Sequence, residues 1–224
     1  MKKYLVFLAA ALLQAGAWAV TYTYVGSTYA PSAITDYTNC TIGTCGNFTA
    51  AMSQSGSFTT AAPLPANLSN ADIASLITSF SFSDGLTQYN NSDPETTLYS
   101  GQAYTDASGG VLEINLTFFH WQASPHVIGS RIDTMVLRQG VRKNGHCQGV
   151  VFQTPSGQDV CSGVAFDASS SAIGPNPSTI GSWTVTGLPP VAPNAVPTLG
   201  EWGLLLLAFL MLGAGWMAVG RQRM

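Results

Sequence analysis

The residues best suited to chemistry in this sequence are a few histidines and carboxylates. His120 and His126 lie near each other, and Asp133 is close enough in the chain to join them on one face of a sheet. Three such groups could bind a metal ion, or could act as a general base and the residue that orients it. However, His120 continues the apolar face of an alternating run, which is typical of a core or rim position. We therefore interpret all three as ordinary sheet residues and predict no metal site.

Paired carboxylates are the second candidate for chemistry. Glu113 with Asp133, or Asp84 with Asp93 and Glu95, could supply the acid and the nucleophile of glycoside hydrolysis. The second set could equally bind calcium, although its order does not fit an EF-hand. The sequence contains no G-x-S-x-G, H-E-x-x-H, P-loop or G-x-G-x-x-G motif. We therefore predict solvated turns at these carboxylates, and a protein that is not an enzyme and uses no cofactor.

The four cysteines form a third group with defined chemistry: Cys40, Cys45, Cys147 and Cys161. An even number favours disulfides in an exported chain. The first two could staple one loop, and the last two flank a Thr-Pro-Ser-Gly turn and could clip a hairpin. The midpoint of Cys147 and Cys161 in the sequence is not the centre of that turn. The two cysteines can therefore lie directly opposite each other in the hairpin only if it contains a bulge or a longer loop. A zinc site with His146 is the alternative, but the cysteine spacings fit no common zinc motif.

Short runs of alternating or β-branched residues indicate the elements that position these groups. Strands are predicted at 21–25, 47–53, 57–60, 77–83, 111–121, 127–139, 148–153, 159–166 and 180–186. Turns are predicted at 83–85, 92–94, 108–110, 143–145 and 155–157. The clearest strand has Leu112, Ile114, Leu116 and Phe118 on one face. A helical turn is predicted at 70–76 from a capping-box pattern. The many short strands favour an all-β fold, an antiparallel β-sandwich.

The first residues have the parts of a secretory signal peptide. Lys2 and Lys3 precede a short apolar run, and Ala17 and Ala19 form an A-x-A cleavage site that would make Val20 the first mature residue. The apolar run is too short to span a membrane, because a spanning helix needs about 20 residues. The sequence therefore predicts that the chain from Val20 onward is exported.

The composition of the exported part limits its partners. Charged residues make up only 8% of the chain, against about 25% in typical soluble domains. Between Val20 and Ala195 there are four basic and ten acidic residues, a net charge of −6. This balance argues against nucleic-acid binding through a basic face. Three prolines within 187–195, followed by Pro197, predict an extended linker at 187–195.

The last residues have the pattern of a membrane anchor. The run 204–219 has no charged residue and would span roughly 24 Å as a helix. Arg221 and Arg223 come after it and would keep the end of the chain in the cytoplasm. The predicted organisation is a signal peptide at 1–19, the β-sandwich ectodomain at 20–186, a linker at 187–195 and a tail at 196–224, with a single transmembrane helix at 203–220.

A short motif precedes this hydrophobic run. Its residues are Val196, Pro197, Thr198, Leu199, Gly200, Glu201, Trp202 and Gly203. The motif, the hydrophobic run and the basic cluster resemble the IPTL-CTERM sorting signal, a relative of PEP-CTERM found on exported proteins of Gram-negative bacteria. The motif departs from that pattern at Val196, where Ile is usual, and at Gly200, where Ser is common. The resemblance implies that an exosortase-type membrane enzyme cuts the chain near the motif.

A second resemblance lies in the exported part. Residues 56–110 contain a G-S-F-T strand, a P-L-x-x-N-L turn and an F-S-F-S-D-G strand, and they resemble a stretch of PEP-CTERM-type surface proteins. The resemblance ends after Gly110, where the usual I-x-x-W strand is replaced by 111–121. It implies a β-rich surface protein and no particular activity.

These patterns predict a cell-surface or extracellular-matrix protein without catalysis of its own. Its precursor would be anchored in the inner membrane, and the mature protein would lie at the cell surface or in the secreted matrix. The predicted partners are the membrane and the exosortase-type enzyme. A carbohydrate-binding module of the exopolysaccharide layer is the alternative, since exposed aromatic rings stack on sugars. The aromatic candidates are Tyr22, Tyr24, Tyr29, Tyr37, Tyr89, Tyr99 and Tyr104.

Overall fold

The structure is a computed structural model that describes residues 19–36, 41–44, 46–153, 157–174 and 181–188. The chain divides into two units, Met1–Leu188 and Pro189–Met224, and every described residue lies in the first. Ala17, Cys40, Cys45, most of the linker, the whole predicted tail and the transmembrane helix at 203–220 lie outside the described residues.

Within the described ranges, the structure contains no helix with the length and apolar character that crossing a membrane requires.

Antiparallel strands make up almost all of the regular structure. The strands are β1 (Val20–Thr28), β2 (Ile34–Thr35), β3 (Ser53–Thr60), β4 (Ala71–Asp72), β5 (Ile77–Ser83), β6 (Gln88–Asn90), β7 (Thr96–Thr105), β8 (Val111–Trp121), β9 (Arg131–Val136), β10 (Gly140–Gln153), β11 (Gln158–Ala165), β12 (Ser171–Ile173) and β13 (Ser182–Thr186). Two single 3-10 turns, Pro31–Ala33 and Ala74–Leu76, are the helical elements among the described residues. The all-β prediction is confirmed.

The strands form two sheets. The small sheet has the order β13-β1-β3-β5-β6 within the described ranges. The large sheet has the order β2-β12-β10-β9-β8-β7-β4, and β11 also pairs with β10. Hairpins join neighbouring strands in both sheets, which fits the short polar turns between the strand patterns.

One hydrophobic core joins the two sheets. Strand β8 alternates, so Ile114, Leu116 and Phe118 are completely buried on one face. The ring of Phe118 lies 5.1 Å from those of Phe80 and Phe82, which come from β5 of the small sheet. Leu112, which the sequence placed on the same face, is 67% exposed, because the β7–β8 register shifts between Tyr104 and Thr105 and Val111 packs against the core instead.

The strand predicted at 47–53 is wrong. Residues 46–49 form no strand, and β3 begins only at Ser53. The N–H of Phe48 donates to Oδ1 of Asp36, and the N–H of Met52 donates to the carbonyl of Thr49 in a turn. These local bonds satisfy backbone groups that a strand would have paired with a neighbour.

The helical turn predicted at 70–76 is present but shorter, because Ala74–Leu76 form a single 3-10 turn after β4, and Oδ1 of Asp72 accepts from the N–H of Ala74 rather than completing a capping box. The turn predicted at 143–145 is wrong, since no turn interrupts β10. Asn144 adopts a positive φ of 54°, and the register with β9 shifts there, so the chain continues through a bulge.

The cysteine prediction for the second pair agrees with the structure. Cys147 and Cys161 form a disulfide between β10 and β11, and the register of these strands shifts at Gly149. The two cysteines are not directly opposed in the register, since Cys147 lies opposite Val164 and Cys161 lies opposite Val150. The bond lies in a second hydrophobic cluster, where both cysteines pack with Trp121 and Ile132.

Candidate functional site

A layer of polar side chains closes one end of the core. The large sheet contributes His120 from β8, Asp133 from β9 and Lys143 from β10, and His120 is paired with Asp133 in the β8–β9 register. The hairpin β5–β6 of the small sheet contributes the others. We call the six residues the polar layer: Asp84, Thr87, Tyr89, His120, Asp133 and Lys143.

Strand alternation explains why these polar groups face inward. Asp133 lies two residues before the buried Met135, and Lys143 lies two residues after the buried Val141, so each points to the core face of its strand. Asp133 is 0% exposed and Lys143 is 6% exposed. Buried charges are tolerated only when they are paired and hydrogen-bonded, so the contacts within the layer decide its character.

Asp133 has the largest set of hydrogen-bond donors in the layer. Its Oδ1 accepts from the backbone N–H of Asn144 at 2.7 Å and from Nε2 of Gln122 at 2.8 Å. Its Oδ2 accepts from Oγ1 of Thr87 at 2.9 Å and from Nζ of Lys143.

These contacts determine the ionisation of Asp133. Burial acts to raise the pKa of its carboxyl. The neighbouring His120 ring, the Lys143 ammonium and the Asn144 N–H outweigh burial and lower that pKa below its ordinary value. Asp133 is therefore held as a carboxylate in contact with an ammonium.

Asp84 is the second enclosed carboxyl of the layer. Its Oδ1 accepts from the N–H groups of Leu86 at 2.8 Å and Thr87 at 2.6 Å, and its Oδ2 accepts from the hydroxyl of Tyr89 at 2.9 Å. Burial raises the pKa of Asp84 above its ordinary value in spite of these donors. The Tyr89 pKa is raised well above its ordinary value, again chiefly by burial.

The histidine group that the sequence analysis considered, His120, His126 and Asp133, is only partly assembled. Nδ1 of His120 lies 3.8 Å from Asp133, and its Nε2 lies 3.2 Å from Oδ2 of Asp93. His126 is elsewhere, since its Nε2 lies 2.5 Å from Glu95 and its ring stacks on Trp121 at 4.7 Å. Trp121 and His120 are adjacent in β8 and point to opposite faces.

The first carboxylate pair, Glu113 and Asp133, is not brought together either. Glu113 pairs with Arg138 at 2.8 Å, near the start of β8, whereas Asp133 lies beside His120 near its end. Seven residues of strand separate the two positions, about 23 Å, and glycosidases need a separation of about 5 to 10 Å. Among the described residues, no group of three or more His, Cys, Asp or Glu side chains is placed to hold a metal ion.

An open groove of about 580 Å³ lies on another side of the core, between β5, β7 and the turn after β4. Its apolar lining includes Phe80, Leu98 and the 41% exposed ring of Tyr99. Its polar lining includes amides and hydroxyls, namely Asn91, Gln102, Gln158, Ser75, Thr78, Thr96, Thr97 and Ser100. Among the described residues, Asp72 is the one charged residue that lines it. Sequence reasoning missed this groove because strand β7 carries no apolar alternation.

Four of the tyrosines that the sequence suggested for sugar stacking serve the core, whereas Tyr104 is half-buried and Tyr37 lies outside the described residues. Tyr22, Tyr24, Tyr29 and Tyr89 are all buried. Tyr22 stacks on Phe58 with ring centroids 4.8 Å apart. Among the described residues, Tyr99 is the tyrosine that lines the groove.

Val20, the residue predicted to begin the mature chain after signal cleavage, is the first residue of β1 and is completely buried. The sorting-motif residues and the two arginines predicted to stop the tail lie outside the described residues.

Comparison with known proteins gives information on the tail alone. No curated protein and no solved structure matches the chain. A family model described as the IPTL-CTERM motif matches residues 194–223. The matched segment contains the short motif, the hydrophobic run and both arginines on which the resemblance was based. The resemblance is confirmed, and the chain carries a C-terminal IPTL-CTERM motif.

Proposed function

We propose that the chain is an exported cell-surface or extracellular-matrix protein, first tethered to the inner membrane by its tail and then processed by an exosortase-type enzyme. The IPTL-CTERM motif at 194–223 carries this proposal. The signal-peptide pattern at 1–19 supports it, because the two ends would place the β-rich unit on the outside and the arginines on the inside.

The physical design of the first unit also supports an outside location. Two antiparallel sheets around one core make a β-sandwich scaffold, and the Cys147–Cys161 disulfide suits an oxidising compartment. Such a unit needs no long charged helices, which agrees with a charged fraction of only 8%.

We infer that the protein has no catalysis of its own. Glu113 and Asp133 are too far apart for glycoside hydrolysis, and Asp84 and Asp133 are each 0% exposed. The carboxylates that the sequence offered for chemistry are therefore engaged in ion pairs or enclosed.

Processing of the tail is tested by measuring the intact mass of the protein isolated from its native host. We expect a C-terminus between Val196 and Gly203 in the wild type. Pro197→Gly and Trp202→Ala should accumulate with the full tail, because both change the recognition motif. Leu207→Ile, a conservative change in the hydrophobic run, should be processed normally. If the wild-type protein ends at Met224, the tail is a simple anchor and the proposed processing is contradicted.

A carbohydrate-binding module is the second candidate function, and the groove beside β7 favours it. An exposed tyrosine ring, neutral amides and hydroxyls suit an uncharged sugar chain, since rings stack on sugar faces and amides bind hydroxyls. On a glycan array, Tyr99→Ala should lose whatever retention the wild type shows. Leu112→Ala, an exposed residue that does not line the groove, should keep it. Absence of wild-type retention on every polysaccharide would contradict this candidate.

A further inference from the structure

The single lysine of the exported part is in an unusual place. Lys143 is the only lysine after Lys3, and it is almost completely buried against Asp133. Lysine is rarely buried, and a buried ion pair is a poor way to stabilise a fold. Arginine would also serve such a pair better, since its fork binds both carboxylate oxygens. An amine differs from a guanidinium in one respect that matters here: in its neutral form it is a nucleophile.

We propose that Lys143 and Asp133 form an intramolecular isopeptide bond between Nζ of the lysine and Cγ of the aspartate, which joins β10 to β9 with the loss of one water molecule. The proposal rests on the contacts of the polar layer and goes beyond the function assigned to the tail.

The hydrogen bonds around Asp133 divide its two oxygens into different roles. Oδ1 is held by two N–H donors, from the Asn144 backbone at 2.7 Å and from Gln122 at 2.8 Å. When an amine attacks Cγ, negative charge develops on one oxygen, and two fixed N–H donors stabilise that charge as an oxyanion hole does. Oδ1 is therefore the oxygen retained in the amide.

The other oxygen is the one that leaves. Nζ of Lys143 donates to Oγ1 of Thr87, and Oγ1 of Thr87 donates at 2.9 Å to Oδ2 of Asp133. This chain can carry a proton from the ammonium to Oδ2, which leaves a neutral amine beside a neutral carboxylic acid.

The atoms and charges of the step balance without any co-reactant. The lone pair of Nζ attacks Cγ, the Cγ–Oδ2 bond breaks, and Oδ2 departs with two protons from the former ammonium as water. An ammonium and a carboxylate become one neutral amide that keeps one N–H. Because the site is almost closed to solvent, the product also removes two buried charges, whose desolvation is costly.

Asp84 is a positioning residue in this arrangement. Its Oδ1 accepts from the backbone N–H of Thr87 at 2.6 Å and so fixes the turn that places the Thr87 hydroxyl between Lys143 and Asp133. It does not touch the reacting carbon.

The test is a tryptic map of the full chain after reduction and alkylation of the disulfide. Cleavage after Arg131 and Arg138 releases the peptide Ile132–Arg138, which contains Asp133 and no other carboxylate side chain. If the bond forms, this peptide is found joined to the peptide that begins at Lys143, at their combined mass less one water, and trypsin does not cleave after Lys143. Recovery of free Ile132–Arg138 in full yield, with cleavage after Lys143, would overturn the proposal.

Two variants separate the bond from an ordinary ion pair. Lys143→Arg keeps a positive charge but cannot form the amide, so the peptide Ile132–Arg138 should be released in full. Thr87→Ser keeps the hydroxyl and should be cross-linked as the wild type is, whereas Thr87→Val should be cross-linked at least ten times more slowly after refolding. Equal rates for Thr87→Ser and Thr87→Val would contradict the relay, and cross-linked mass in Lys143→Arg would contradict the assignment of the bond.

Discussion

At the scale of single residues, Asp84 and Asp133 show how surroundings decide the behaviour of an enclosed carboxyl. Both are 0% exposed. Burial raises the pKa of Asp84, and its uncharged donors do not compensate. Asp133 touches the Lys143 ammonium directly, and its pKa is lowered instead. The His120 hydrogen bond and the Lys143 ammonium together outweigh desolvation at Asp133, whereas the backbone and Tyr89 donors and the Lys143 charge do not outweigh it at Asp84.

The raised pKa of Asp84 predicts how stability depends on pH. The neutral carboxyl stabilises the fold below the unfolded carboxyl pKa, and this contribution is lost as the pH rises through the folded pKa. As the pH rises above the ordinary aspartate pKa of about 4, we expect the free energy of unfolding of the wild type to fall relative to that of Asp84→Asn, which is neutral throughout. Urea unfolding at several pH values measures the difference.

Asp72→Asn is the matched control for this prediction, because Asp72 is exposed and accepts a backbone N–H in the same way. Its stability relative to the wild type should change little over the same pH range. A difference between Asp84→Asn and the wild type that stays constant with pH would show that Asp84 does not carry the raised pKa.

Much of the polar layer could not be predicted from the sequence. Asp84 and Asp133 were recognised as candidate carboxylates, but turn residues around Asp84 indicated a solvated loop. Lys143 stands before Asn144 and Gly145, which is a strong turn signal. The bulge at Asn144 keeps Lys143 in β10, and the N–H of Asn144 donates to Asp133. The polar layer brings together residues that are far apart in the chain, and local sequence patterns do not predict such contacts.

At the scale of elements, regular alternation decided which strands could be predicted. Strand β8 was predicted with its bounds, 111–121, because apolar and polar residues alternate along it. Strand β7 was missed, since its ten residues are mostly hydroxyl-bearing or small and contain Ser100 and Gly101. It forms because β8 pairs along its length, a tertiary contact that outweighs weak local preference.

The pairing of β3 with β5 predicts a strict requirement for glycine at one position. Gly56 has a φ of 154°, and a Cβ there would lie 2.3 Å from the carbonyl oxygen of Ser81 and 2.5 Å from Cα of Phe82. Because these are backbone atoms, the strands must separate. We expect Gly56→Ala to lower the free energy of unfolding by about 3 kcal/mol or more, measured by urea unfolding.

Gly129→Ala is the control for this glycine. Gly129 also has a positive φ, of 90°, but a Cβ there would meet nothing within 4 Å. Gly129→Ala therefore tests backbone strain alone, and it should lower the free energy of unfolding by about 1 kcal/mol. Equal losses for the two variants would contradict the proposed clash between strands.

The β10–β11 hairpin gives a prediction about covalent stabilisation. The Cys147–Cys161 bond closes a loop with a sequence separation of 14 residues. The chain-entropy estimate for a loop of this size is about 3 kcal/mol. We expect Cys147→Ala with Cys161→Ala to lose about this amount, measured by urea unfolding without reductant. Reductant should destabilise the wild type and leave the double variant unchanged, whereas equal sensitivity of both would contradict this contribution.

At the scale of the whole unit, one shared core is the reason that two sheets can unfold as one body. Phe118 is central to it, because its ring contacts Phe82 of β5 at 5.1 Å and Tyr89 of β6 at 5.9 Å while its backbone belongs to β8. Removing that ring leaves a cavity between the sheets. We expect Phe118→Ala to lower the free energy of unfolding by about 3 to 5 kcal/mol, in a single cooperative transition.

Phe152→Ala separates this effect from the mere loss of a phenyl ring. Phe152 lies near the end of β10 and is 65% exposed, so its substitution should change the free energy of unfolding by less than about 0.5 kcal/mol. Fluorescence and circular dichroism should report the same urea transition in both variants. Two separate transitions in Phe118→Ala would mean that each sheet keeps its own structure, and that the shared core does not hold the unit together.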